Sequence, residues 1–206
     1  MIGEALQLSE TAPGTLRSVV VVAVSAGGVG ALLDLVASLP RDLDAAIIVV
    51  QHRSAAHASR MVALLRHRTA LSVDEVEAGA RLAPGHVFLA PPGHHLVVDR
   101  LGTLQLLDSP KVHHLRPAAD VLFQSAADHY GDRVLAVVLS GSGSDGAGGV
   151  QAVKAAGGRV LIQEPLTAGF PGMPLASVST GCADEILPPA DLGPAISTWT
   201  RRLGAA

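Results

Sequence analysis

Three uninterrupted runs of six aliphatic residues constrain this chain more than any other feature: Val19 to Val24 (VVVVAV), Ala45 to Val50 (AAIIVV) and Val134 to Leu139 (VLAVVL). None alternates apolar with polar residues, so none suits a strand with one wet face. Continuous runs of this length fit strands buried on both sides, as in a parallel sheet covered by helices. The same shortness excludes a spanning helix, which needs about 18 or more apolar residues, despite a mean hydropathy of +0.40. No membrane insertion is expected.

Helical patterns follow the runs. Val29 to Ser38, Ser59 to Arg66, Ala118 to His129 and Asp145 to Ala156 read as helices, and a further strand is expected at Arg159 to Gln163. A Pro/Gly-rich loop from Glu164 to Pro174, a short strand near Glu185 to Leu187 and a C-terminal helix complete the series. Alternating strands and helices predict a doubly wound α/β fold, a mostly parallel sheet with helices on both faces. The segment Ser72 to Leu107 differs. Its short β-like pieces (SVDEV, HVFLA, HLVV, TLQLL) are punctuated by Gly and Pro and predict an inserted β-hairpin region. With no repeat and no low-complexity linker, residues 1–206 are expected to form a single domain.

Composition narrows the partners. A net charge of −3, with 3 Phe, 1 Trp and 1 Tyr, offers neither a basic track nor a stacking surface for nucleic acid. Cys182 is the only cysteine, so no internal disulfide exists, and the N-terminus lacks a secretory pattern; a cytoplasmic protein is expected. No metal site is expected, because His94-His95 and His113-His114 are adjacent pairs without zinc-ligand spacing. No cofactor is expected either. Gly27, Gly28 and Gly30 follow the first strand, but the second ends in Gln51-His52 rather than the acidic residue that holds a ribose.

The run ends carry the chemistry. Ser25 follows the first, His52 the second, and Ser140-Gly-Ser-Gly-Ser-Asp145 the third. Parallel strands of a doubly wound sheet end along one edge, where ligands bind, so Ser25, His52 and Asp145 are expected to converge. A hydroxyl, an imidazole and a carboxylate are the components of an acyl-transfer triad. Each residue also has an ordinary structural use: Ser25 as a helix cap, His52 as a hydrogen-bonded surface group, Asp145 as the cap of the helix that follows it. Arg116 and Asp120 would then merely cap and pair at the start of a helix in which Pro117 stands at the first position.

Taken together, AVSAGG at 23–28, QH at 51–52, LAPPGHH at 89–95, RPAADVLF at 116–123, LSGSGSDGAGG at 139–149 and GMP at 172–174 resemble the catalytic domain of chemotaxis protein-glutamate methylesterases of the CheB type. The resemblance spans residues 18–195. It implies a serine hydrolase with Ser25, His52 and Asp145 as triad, backbone N–H groups at Ala26 and Ser142 as oxyanion donors, and Arg116 lining the substrate cleft. It also implies the reaction, hydrolysis of glutamate γ-methyl esters to release methanol, with deamidation of some glutamines. The implied partners are the cytoplasmic helices of methyl-accepting chemotaxis receptors, together with a separate receiver or methyltransferase protein. A stand-alone domain is expected, because the roughly 17 residues before the first run are too few for a fused receiver. Three positions depart from the family pattern: Ala23 in the elbow, Ser142 in the second loop and Pro171 before GMP. They leave open a catalytically weak receptor-binding module of the same fold, or a related esterase or amidase with another substrate.

Overall fold

The computed structural model describes residues 16–52 and 60–204. Seven strands form one parallel sheet: β1 (Val19–Val24), β2 (Ala46–Gln51), β3 (Ser72–Glu75), β5 (His86–Leu89), β8 (Val134–Val138), β9 (Arg159–Gln163) and β10 (Glu185–Leu187), in the order β10-β9-β8-β1-β2-β5-β3. The three aliphatic runs supply its centre. β1 lies between β8 and β2, with Val19 opposite both Val134 and Ala46, and every residue of β1 is fully buried.

Burial on both faces has a simple origin. Val20, Val22 and Val24 face α1 (Val29–Ala37), α2 (Met61–Arg68) and α6 (Pro189–Gly204), where Leu32, Leu35, Leu65, Ile196 and Trp199 complete the layer. Val19, Val21 and Ala23 face α3 (Ala119–Tyr130), α4 (Ala147–Ala155) and α5 (Gly172–Val178), where Leu122, Phe123, Val150 and Met173 pack. Small aliphatics fill the narrow space between sheet and helices. Among the described residues no helix is long and apolar enough to cross a membrane.

The structure corrects the expected hairpin region. β3 and β5, the SVDE and HVFL pieces, run parallel to each other and extend the main sheet. Only HLVV and TLQLL form a hairpin, β6 (His95–Val98) with β7 (Thr103–Leu107), joined by β4 (Ala80–Arg81) in a separate antiparallel sheet. The chain leaves β3, crosses through β4 and re-enters the main sheet in the original direction at Gly85, whose N–H bonds to the Ala45 carbonyl. Punctuation by Gly and Pro marks the turns but not which sheet each piece joins.

Helix boundaries shift by a few residues, the helix expected from Asp145 beginning at Ala147. The expected loop ending at Pro174 already contains the first turn of α5, where a proline removes no helical hydrogen bond. Pro117 does not begin α3: Arg116-Pro117 is a cis peptide bond, Ala118 is extended, and the helix starts at Ala119. The helix expected from Ser59 begins at Met61 among the described residues, Ser59 lying outside them.

Candidate active site

β8, β1 and β2 are neighbours, so their carboxyl ends bring the three strand-end segments side by side. The Ser25 N–H donates to the Ser140 carbonyl (3.0 Å), and the His52 N–H donates to the Val24 carbonyl (3.0 Å). Strand order reverses here, since β2 lies on one side of β1 and β8 on the other; this is the switch point at which doubly wound sheets open a crevice.

After β1 the chain turns sharply into α1. The Gly28 N–H bonds back to the Ser25 carbonyl (3.1 Å), and Gly27 takes a left-handed φ of +69°. A side chain at Gly27 would also meet the Phe170 ring at 2.8 Å, so both backbone and space require glycine. The helix-cap use of Ser25 is not realised. Gly28 is the N-cap of α1 with no side-chain hydrogen bond, and among the described residues the half-buried Ser25 hydroxyl has no hydrogen-bond partner, His52 included.

His52 and Asp145 are paired directly. Nε2 of His52 lies 2.7 Å from Oδ2 of Asp145, with side chains 7% and 1% exposed. Asp145 also accepts two backbone hydrogen bonds, from Ala119 to Oδ2 (2.6 Å) and from Asp120 to Oδ1 (3.0 Å). Burial pushes the Asp145 carboxyl up. The hydrogen bonds from His52, Ala119 and Asp120, with the His52 charge, outweigh that and hold it below the ordinary aspartate value. The carboxylate is therefore charged, and its charge sits at the positive end of α3.

The cap expected of Asp145 thus goes to a different helix. It caps α3 rather than α4, which follows it in sequence, and Asp120 of α3 caps α4 in return. Asp120 Oδ1 accepts the N–H groups of Gly146 (2.9 Å) and Gly149 (2.7 Å). Close approach of the two helices allows this exchange. A Cβ at Gly149 would lie 2.5 Å from that of Phe123. Asp120→Ala leaves both donors without their acceptor and is expected to lower stability by about 1–3 kcal/mol. A lower urea midpoint at unchanged slope would show it; an unchanged midpoint would contradict the cross-cap.

Ala26 follows Ser25 in one loop and Ser142 follows Gly141 in the other, and among the described residues neither N–H has an acceptor. Residues that sequence alone left unassigned fix those loops. Ser140, fully buried, donates to the Ala26 carbonyl (2.9 Å) and accepts the Phe170 N–H (3.0 Å). Its own N–H is held by Gln163 Oε1 (2.8 Å), and Gly141 donates to the Phe170 carbonyl (2.9 Å). The only hint in the sequence was their position at strand ends.

The three departures are accommodated locally. Ala23 is buried against α3 and α4 in extended backbone, Ser142 is exposed while Gly143 takes the positive φ of its loop, and Pro171 has φ −80° at the N-cap of α5. Arg116 is engaged by a neighbouring loop: its Nη1 donates to the carbonyls of Asp108 (3.1 Å) and Ser109 (3.0 Å). One histidine of each adjacent pair is held by a carboxylate, His94 by Asp108 (2.7 Å) and His113 by Asp120 (3.2 Å).

Comparison with known proteins gives the family and the fold. A family model described as CheB methylesterase matches residues 20–196. A protein-glutamate methylesterase/protein-glutamine glutaminase of Symbiobacterium thermophilum is 38% identical over 188 residues, 91% of this chain and 51% of that protein. The protein-glutamate methylesterase FrzG of Myxococcus xanthus is 36% identical, over 92% of this chain and 57% of that protein. The crystal structure of the Thermotoga maritima CheB methylesterase catalytic domain superposes with a TM-score of 0.85 at 32% identity, covering 88% of this chain and 98% of that one. The chain spans about half the length of the curated relatives it matches and nearly all of the Thermotoga domain.

Proposed function

From the premise that this chain belongs to the CheB methylesterase family, we propose that it is a serine hydrolase removing methyl groups from glutamate γ-esters of chemotaxis receptors. The observation that carries this is the buried His52–Asp145 pair beside a serine hydroxyl with no structural task. Asp145 occupies Nε2 of His52, which leaves Nδ1 as the nitrogen that exchanges protons with Ser25.

Ser25 Oγ attacks the ester carbonyl as His52 Nδ1 takes its proton. The carbonyl oxygen becomes an oxyanion, and the N–H groups of Ala26 and Ser142 stabilise it. The C–O bond to the methoxy group breaks, methanol leaves with the proton from Nδ1, and a glutamyl ester remains on Ser25. Water, deprotonated by the same nitrogen, then hydrolyses that ester and regenerates the hydroxyl. A glutamine side chain follows the same course with ammonia as leaving group. No cofactor is needed in this scheme.

The substrate-bearing partners are the cytoplasmic helices of methyl-accepting receptors, which places the chain in the cytoplasm. A receiver or methyltransferase protein is a further proposed partner. Arg116, which braces the loop at 108–109 through Nη1, is proposed to line the substrate cleft. The test is methanol release from a methylated receptor fragment, measured beside hydrolysis of a generic aryl ester. Faster turnover of the receptor is expected. A strong preference for the aryl ester would replace receptor demethylation with a broader esterase activity, and absence of both would leave only a binding role.

A further inference from the structure

One buried titratable side chain near the site has no part in the mechanism above. His95, the first residue of β6, is fully buried and comes from the LAPPGHH segment. Its Nδ1 lies 3.2 Å from the Ala118 amide, and its Nε2 lies 3.1 Å from the Pro110 carbonyl. A backbone N–H donates only to a nitrogen without a proton, and a carbonyl accepts only from one that carries it. His95 is thus neutral, with its proton on Nε2.

The Ala118 amide is the first of three consecutive donors. Ala118 points at His95, Ala119 at Asp145 Oδ2 and Asp120 at Asp145 Oδ1. Ala118 itself is extended, with φ −116° and ψ 138°, and has no side chain that caps the helix. The entry into α3 is therefore gripped on one side by an imidazole and on the other by the carboxylate that holds His52. The same imidazole ties down the loop preceding Arg116 through Pro110.

We propose that His95 is a positioning residue for the Asp145–His52 pair: by taking the Ala118 N–H it aims the next two N–H groups of α3 at the Asp145 carboxylate. It touches neither substrate nor reacting atoms. Its effect passes through the orientation and charge of Asp145, which those two N–H groups help to stabilise. The kinetic arm of its test rests on the hydrolase function proposed above, whereas a second arm does not.

Three variants of the full chain separate positioning from space-filling. His95→Asn keeps an acceptor at the distance of Nδ1, His95→Gln carries its amide out to the distance of Nε2, and His95→Leu keeps neither. The first readout is the rate at which a fluorophosphonate labels Ser25: Oγ bonds to phosphorus, fluoride leaves, and His52 receives the proton. The second is the titration of the Asp145 carboxyl followed by carbon-13 NMR. Labelling is expected to slow about 10- to 100-fold in the Leu and Gln variants and to stay within about threefold in the Asn variant. The Asp145 carboxyl titrates at higher pH in the Leu and Gln variants than in wild type or Asn.

A folded Leu variant unchanged in both readouts overturns the proposal. So does a Gln variant that behaves as wild type while Asn does not, because bulk would then matter and the Nδ1 acceptor would not. If the Leu variant does not fold, the Asn and Gln pair decides alone. If wild type is not labelled at Ser25, the hydrolase function fails, and the Asp145 titration still decides the role of His95: a shift in Gln absent from Asn supports it, and no shift overturns it.

Discussion

Ser25→Ala is expected to reduce methanol release from methylated receptor by about 10⁴- to 10⁶-fold while leaving stability within about 0.5 kcal/mol of wild type. The first number follows from the mechanism, since without Oγ no glutamyl ester forms and only direct attack by water remains. Binding and the two backbone donors still favour that slow route, so a residue of activity over the uncatalysed rate persists. The second follows from the structure. Among the described residues the hydroxyl has no hydrogen-bond partner and does not cap α1, and it lies at a half-buried position where losing one oxygen opens no cavity. The loss should fall on kcat, with KM little changed. Turnover within tenfold of wild type would remove Ser25 as nucleophile.

Asp145→Asn should damage activity and stability together. Loss of about 10⁴ in kcat is expected, because an amide does not impose a single tautomer on the imidazole. One orientation of the amide directs NH₂ at His52 and Ala119, pushing the imidazole proton onto Nδ1, the nitrogen that must accept from Ser25. The other directs NH₂ at the Asp120 N–H, donor against donor. Either way α3 loses the charge at its N-terminus, and a cost of about 1–3 kcal/mol is expected in urea unfolding.

The pH dependence has a definite sign. The folded-state pKa of Asp145 is lowered relative to the unfolded chain, so its contribution to stability is fully present above the ordinary aspartate value. It is lost as pH falls through the lower, folded-state value. Acid unfolding of wild type should therefore be steeper in this range than that of the Asn variant, which has no carboxyl to protonate there. Superimposable acid-unfolding slopes would contradict the assigned direction.

The parts of this molecule that were legible in its sequence are those in which a long-range fact follows from a local one. Six aliphatic residues in a row imply burial on both faces, burial on both faces implies a parallel sheet, and a parallel sheet gathers its strand ends. Ser25, His52 and Asp145 followed from that chain of steps, and the geometry brings the segments that bear them together. The misreadings arose where local signals do not say which partner is chosen. SVDE and HVFL look alike as members of a hairpin or of a parallel pair, since the choice depends on where the chain crosses through β4. Likewise, an aspartate two residues before a helix signals a cap, but nothing nearby in sequence indicates that Asp145 and Asp120 exchange helices 25 residues apart. His95 was invisible for the same reason, as its value lies in an amide 23 residues away.

The exchange of caps between α3 and α4 also bears on how relatives of this chain should be compared. Asp145 is tied to the docking of two helices as well as to the imidazole, so a descendant that abandoned the chemistry would still lose stability by discarding it. Ser25 has no such second employment. Selection for folding alone would preserve the aspartate and let the serine drift, so the serine, and not the completeness of the triad's acidic end, is the position at which a working hydrolase and a retired one would part.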